Sequence, residues 1–269
     1  RQDIQGLSYG RYDKRVYGYT DRGFIQLLRE AEMKVLIMAA GVGSRISRHL
    51  QGQPKCCVDI DGKPLIRHTF ELLKKKGITD IAIVTGYQEK YIHQALEGFA
   101  YARYFNPFYR VANSISSVWF ARDFLTPNED IMIMNGDVFM EEKILDIVLS
   151  EQRSPVMLSD SSRIEDADYR FNWKDDKLKK YGKELTNEQT TGEYVGIGIL
   201  KAKDIVPFKQ GILDAVANED YNCWWEDIIY RTVDKGAAVF VNNVTGIFWA
   251  EVDYIEDYER IKEFVRSNN

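Results

Sequence analysis

Gly41, Gly43, Arg45 and Lys55 follow directly on a short apolar run, Val35-Leu36-Ile37-Met38, and together they could hold a polyphosphate. Small residues after a buried strand (Ala39-Ala40-Gly41-Val42-Gly43) let backbone N–H groups come close to an anion, where a larger side chain would collide with it. Arg45 offers a planar two-pronged donor, and Lys55, next to Pro54, offers a point charge. Two better-known phosphate loops are excluded. A Walker loop needs Lys right after its second glycine, and Ser44 stands after Gly43. A dinucleotide fingerprint needs a third glycine, where this chain has Ile46. Glycines alone could serve only a tight strand-to-helix turn. With Arg45, Pro54-Lys55 and Asp61-Gly62-Lys63-Pro64 in order behind them, they point to a nucleoside triphosphate.

Phosphoryl chemistry at such a loop calls for a hard divalent cation, and Mg²⁺ takes one or two carboxylates plus phosphate oxygens. Asp137 closes an apolar run, Ile131–Met134, through Asn135-Gly136, and Asp253 closes Trp249-Ala250-Glu251-Val252. A strand-terminal Asp is also an ordinary helix N-cap, and for Asp253, just ahead of helix-like Ile255–Val265, that use competes. A second cluster suits a cation of another kind. Tyr221-Asn222-Cys223-Trp224-Trp225-Glu226-Asp227 pairs two indoles with two acids, the materials of an ammonium cage. Tyr169 and Tyr194 add aromatic faces, and Arg170 is available for an acceptor's phosphate; the competing use of these aromatics is a core cluster. Asn113 and Ser117 open a helix-like segment, either as caps or as ligand contacts.

The first motif resembles that of the nucleotidyltransferases typified by sugar-phosphate nucleotidylyltransferases: L-A-A-G-x-G-S/T-R, then P-K, then G-K-P-L. Here it reads Met38-Ala39-Ala40-Gly41-Val42-Gly43-Ser44-Arg45, Pro54-Lys55 and Gly62-Lys63-Pro64-Leu65. The spacing Asn113-x-x-x-Ser117 and the aromatic–acid stretch at 221–227 are similar to the choline-phosphate and aminoethylphosphonate cytidylyltransferase branch. The resemblance implies that Arg45 and Lys55 are catalytic and that Ala39, Ala40, Gly41, Gly43, Gly86, Tyr87, Asn113 and Ser117 bind the nucleotide. It also implies Mg²⁺ on Asp137 and Asp253, and an acceptor held by Tyr169, Arg170, Tyr194, Trp225 and Glu226. The expected partners are CTP and a phosphorylated small-molecule acceptor such as phosphocholine or 2-aminoethylphosphonate, with pyrophosphate released. A sugar-1-phosphate nucleotidylyltransferase and a nucleotide-sensing regulator are the alternative readings.

Elements that would position these residues alternate from Met33 onward. Strands are expected at Val35–Met38, Asp80–Thr85, Tyr101–Phe105 and Ile131–Met134, and helices at Pro64–Lys76, Tyr91–Glu97 and Ser114–Phe124. This predicts an α/β fold: a mixed, mainly parallel, Rossmann-like sheet with helices on both faces. From Pro155 the pattern turns antiparallel (Val156–Ser159, Arg170–Trp173, Lys177–Tyr181, Tyr194–Leu200) and reads as a small acceptor-binding lobe. By the resemblance, residues 33–269 are expected to form the nucleotidyltransferase domain. Residues 1–32 are an N-terminal arm or a remnant whose Thr20-Asp21-Arg22-Gly23 resembles the end of a winged-helix module. A net charge of −5 disfavours a general nucleic-acid surface. Three cysteines without C-x-x-C suit a reducing cytoplasm, and no apolar run is long enough for a membrane span.

Overall fold

The computed structural model describes residues 33–43, 45, 46, 50 and 52–268; the expected N-terminal arm at 1–32 lies outside them. In chain order the strands are β1 (Met33–Ala39), β2 (Asp59–Ile60), β3 (Lys63–Pro64), β4 (Ile81–Thr85), β5 (Ala102–Phe105), β6 (Asp130–Asn135), β7 (Val138–Met140), β8 (Val156–Asp160), β9 (Arg170–Lys174), β10 (Lys177–Gly182), β11 (Gly192–Leu200), β12 (Phe240–Asn243) and β13 (Trp249–Glu251). The α-helices are α1 (Leu65–Lys75), α2 (Glu89–Ala95), α3 (Ser114–Phe120), α4 (Glu142–Ser150), α5 (Ala202–Ala217), α6 (Asp227–Asp234) and α7 (Ile255–Asn268).

Nine strands form one mixed sheet in the order β5-β4-β1-β6-β11-β8-β12-β10-β9. The first four run parallel, and beyond them only β8 and β12 do. Parallel pairing therefore dominates the nucleotide half, and apart from β8–β12 the rest is antiparallel. At the far end β9 turns back to pair with β11 (Gly192↔Phe171), so the second half of the sheet curls closed. Side chains of β1 alternate between two cores. Val35, Ile37 and Ala39 join α1, α2 and α4 on one face, and Leu36 and Met38 join α3, α5 and α6 on the other. That is the period of two a strand imposes when both its faces are covered. A smaller third core lies beneath α7, where Ile261 meets Val252, Ile60 and Ile46.

Local chemistry sets the ends. α1 stops at Gly77, whose φ of +77° is left-handed. Its N–H reaches the Lys74 carbonyl and the next N–H, from Ile78, reaches Leu73, a Schellman closure. Cys56, Cys57 and Cys223 are buried free thiols. Among the described residues no helix is long and apolar enough to cross a membrane.

Candidate active site

β1 delivers the chain to its carboxyl end, and the loop Ala40–Gly43 opens there into a cleft. Gly43 takes φ +66°, and a Cβ at this position would run into the Lys55 methylenes. Glycine is therefore what allows the lysine to lie along the loop. Behind the loop, the Tyr87 N–H donates to the Ala40 carbonyl at 3.0 Å. At Gly86 a Cβ would sit 2.8 Å from the same oxygen. Gly86 and Tyr87 therefore brace the loop from behind and do not line the cleft, which corrects their expected place beside the base; Tyr109 lines the wall instead.

β6 ends one strand away in Asn135-Gly136-Asp137. The Gly136 N–H donates to the Met38 carbonyl at 2.9 Å, and a Cβ there would press on Ala39, so the tip lies flat against β1. β13 is fixed to this tip by antiparallel pairing with β7 (Glu251↔Val138) and by the Val252 N–H donating to the Asp137 carbonyl. Two carboxylates far apart in sequence thus meet at one amine. Lys55 Nζ lies 3.2 Å from Asp137 Oδ2 and makes a close ion pair with Asp253 Oδ1. Arg45 reaches the other Asp253 oxygen at 3.1 Å and Asp168 at 3.4 Å. Burial works against the Lys55 charge, but Asp137 and Asp253 outweigh it and hold its pKa above the usual lysine range. Asp253 does not cap α7 with its side chain. Asp257 instead reaches back to accept from the Asp253 and Tyr254 N–H groups.

A third carboxylate, Glu251, escaped the sequence reading. It is half-buried, accepts from Asn135 Nδ2 at 3.1 Å, and is driven well above the carboxylate range by desolvation and by Asp137 and Asp253. The only sequence clue is spacing: Glu251 ends β13 and Asp253 follows it by two residues. Among the described residues no three His, Cys, Asp or Glu side chains form a self-sufficient metal cluster. Two convergent hard-oxygen donors that need phosphate oxygens to complete the shell fit the coordination habit of Mg²⁺.

The opposite wall comes from the start of α3. Asn113 caps it, its Oδ1 accepting from the Ser114 N–H at 2.9 Å while its Nδ2 donates to the Asn222 carbonyl at 3.1 Å. Ser117 Oγ accepts from Asn106 Nδ2 at 2.9 Å, and both residues line the cleft. The Asn113 N–H donates to the Tyr221 carbonyl, and the Trp225 N–H to Ser114 Oγ. These bonds sew the 221–226 segment to α3 and decide which indole faces inward. Trp224 lines the cleft, whereas Trp225 is wholly buried against Phe208 in the core. The expectation that Trp225 forms the cage is corrected in favour of its neighbour. Arg170 likewise points away from the cleft, bonding Asn187 Oδ1 at 2.6 Å. The cation on that side is Lys183, held 3.0 Å from Asp168 and 5.9 Å from the Trp224 ring.

Two chambers result, about 250 Å³ beside the loop and about 420 Å³ beyond it, and Lys55, Asn113, Trp224, Glu226 and Glu251 line both. Tyr169, Tyr194 and Tyr230 line the second, Tyr169 lying parallel to Tyr230 at 5.6 Å and edge-on to Trp224 at 5.9 Å. Glu226 stands among them, its carboxyl pushed up to about 8 by burial and by the neighbouring Asp227 charge.

Residues 35–164 match the family model described as MobA-like NTP transferase domain. The choline-phosphate cytidylyltransferase of Streptococcus pneumoniae is 23% identical over 244 residues, covering 88% of this chain and 100% of the relative. The CTP:phosphoglutamine cytidylyltransferase of Campylobacter jejuni is 22% identical over 251 residues, covering 84% and 98%. Among solved structures, the CTP:phosphocholine cytidylyltransferase from Streptococcus pneumoniae superposes with a TM-score of 0.72 at 23% identity, covering 87% of this chain and 99% of that one. The fold is the α/β nucleotidyltransferase fold, and the chain is a nucleotidyltransferase carrying a MobA-like NTP transferase domain.

Proposed function

We propose that this enzyme is a cytidylyltransferase that joins CMP from CTP to a small phosphorylated or phosphonylated amino-alcohol and releases pyrophosphate. The observation that carries the reading is the pair of chambers meeting at Lys55. A polyphosphate loop opens into an aromatic pocket that holds a buried carboxylate. The nature of the relatives, which act with CTP on a choline phosphate and on a phosphoglutamine, supports the same donor and an acceptor bearing phosphate and nitrogen.

An acceptor oxygen attacks the α-phosphorus in line, the bond from that phosphorus to the bridging oxygen of the β-phosphate breaks, and pyrophosphate leaves. The loop N–H groups at 40–43 fix the triphosphate. Lys55 and Arg45, now neutralised by Asp137, Asp253 and Asp168, turn to the phosphate oxygens and stabilise the charge passing to the leaving group. Asp137 and Asp253 would hold Mg²⁺, which supplies charge neutralisation at the phosphates when bound. Lys183, on the rim of the second chamber, takes the acceptor's phosphate end, the role expected of Arg170. Tyr169, Trp224 and Glu226 enclose its cationic end. No covalent enzyme intermediate is required, because positioning and charge neutralisation suffice.

Pyrophosphate release with CTP and Mg²⁺ tests the reading, with amino-alcohol phosphates, sugar 1-phosphates and no acceptor as parallel arms. Release with the amino-alcohol phosphates, well above both other arms, is expected. Equal or faster release with a sugar 1-phosphate would replace this reading with sugar-nucleotide synthesis.

A further inference from the structure

Three oxygen atoms on residues that line the second chamber, Tyr194 Oη, Tyr230 Oη and Glu226 Oε2, lack a well-formed hydrogen bond within the fold, although Tyr194 and Glu226 lie close enough to interact with each other. Their residues are only 7%, 1% and 6% exposed, so the cost of leaving them unpaired is that of buried polar groups. They come from separate elements, the tyrosines from β11 and α6 and the glutamate from the turn before α6, yet all three residues line one cavity. Among the described residues three other buried side-chain polar atoms lack a partner, Asp204 Oδ2, Trp225 Nε1 and Arg260 Nε, and none of their residues lines this chamber. Elsewhere buried polar groups are satisfied within the fold. Asp160, for example, accepts from Trp249 Nε1, Thr245 and Ser162. Three unpaired oxygens converging on a ligand chamber therefore describe what the ligand brings.

We propose that the acceptor's cationic end is a primary ammonium, whose three N–H groups donate to Glu226 Oε2, Tyr194 Oη and Tyr230 Oη, and is not a trimethylammonium. The proposal rests on the amino-alcohol reading above and sharpens it. An ammonium with three hydrogens has a donor for each oxygen. A trimethylammonium has only methyl groups to present. It would be attracted to the aromatic faces of Tyr169 and Trp224, but it would seal all three oxygens away unpaired. The acceptor's negative end is disfavoured at this position by the neighbouring Asp227 charge, whereas a bound ammonium favours the ionised form of Glu226. The aromatic faces serve either cation, and the polar atoms discriminate.

The test is a methylation series on one phosphate: 2-aminoethyl phosphate and its N-methyl, N,N-dimethyl and N,N,N-trimethyl forms, with glucose 1-phosphate as an amine-free arm. Pyrophosphate release is measured with CTP and Mg²⁺. The kcat/KM is expected to fall stepwise, with the unmethylated compound preferred over the trimethyl compound by about a hundredfold or more, as for a site that loses its hydrogen-bonding partner. Tyr194→Phe and Tyr230→Phe should each narrow that ratio by slowing the primary amine alone, with KM for CTP unchanged. A trimethyl compound turned over as well as the primary amine would overturn the inference while leaving the amino-alcohol reading intact. Turnover of glucose 1-phosphate above the whole series would overturn both. The series on the unaltered enzyme decides the matter even if a tyrosine variant fails to fold.

Discussion

Glu226 is a carboxyl group that the fold would rather keep neutral. Burial is the main cause, with the Asp227 charge adding to it, and the pKa rises from an ordinary 4.5 to about 8. Tyr194, Tyr169 and Tyr230 face it from β11, the loop before β9 and α6, and supply no positive charge. The sign follows from linkage. A folded-state pKa above the unfolded one gives stability that is fully present below about pH 4.5 and is lost as pH rises through about 8. A glutamine side chain at this position cannot ionise and so escapes that loss. Glu226→Gln should raise the melting temperature over the parent by an amount near zero at pH 4.5, growing through pH 6.5 and levelling above pH 8. Thermal melts of both proteins at those three values check it, and a pH-independent difference would mean that the carboxyl is not buried neutral. The same residue shows where sequence reading stops. Glu226 was legible as a site residue from its composition alone, but the choice between Trp224 and Trp225 was not. Adjacent indoles differ only in which way a turn points them. The deciding signal lay elsewhere in the chain, at Gly198, where a Cβ would stand 2.8 Å from Trp225, so a small residue on β11 makes room for one indole in the core.

At the level of elements, β13 does for the carboxylates what β1 does for the phosphate loop. Its pairing with β7 sets Glu251 against Val138, and that register carries Asp253 to the amine that Asp137 already holds. If this convergence exists to hold a cation, replacing either residue should impair turnover without unfolding the protein. Asp137→Asn and Asp253→Asn are each expected to lower kcat by about a hundredfold or more, the scale of losing one electrostatic contact at a transferring group. The melting temperature should stay within a few degrees, because each change also removes a negative charge facing the half-buried Glu251. Near-parental kcat at saturating Mg²⁺ in the folded Asp137→Asn protein would remove that residue from the cation site. The strands β1, β4, β5 and β6 and the helices α1, α2, α3 and α7 were readable from periodicity, since β1, β4 and β6 are apolar on both faces and α1 ends on a left-handed glycine. α5 was not. Its interior contains Pro207 and Gly211, ordinary signals for a break, and tertiary packing overrides them. Gly211 is small because Ile228 of α6 would lie 2.6 Å from any Cβ there.

Across the whole molecule, the shared sheet joins the nucleotide half to the curled half through β6 and β11, and a side-chain link at the cleft adds to it. Arg45 of the phosphate loop is paired with Asp168, just ahead of β9, at 3.4 Å, as well as with Asp253. Asp168 in turn holds Lys183 at 3.0 Å, so a single carboxylate engages one cation intended for each substrate. This coupling could not be read from sequence, because the residues lie 123 positions apart and meet only through the closure of β9 onto β11. A triphosphate approaching the loop must take Arg45 from Asp168. Both side chains are about two-fifths exposed, so the pair is worth little, on the order of 0.2–1 kcal/mol. Asp168→Asn removes that competition and should lower KM for CTP by about 1.4- to fivefold, the equivalent of that range. Raising ionic strength should shrink the difference, because screening weakens the same pair in the parent. Initial-rate measurements over a CTP series at low and high salt, with acceptor saturating, give both numbers. A KM for CTP that rises on substitution would show that Asp168 orders Arg45 for the nucleotide, and the coupling between the halves would then have the opposite sign.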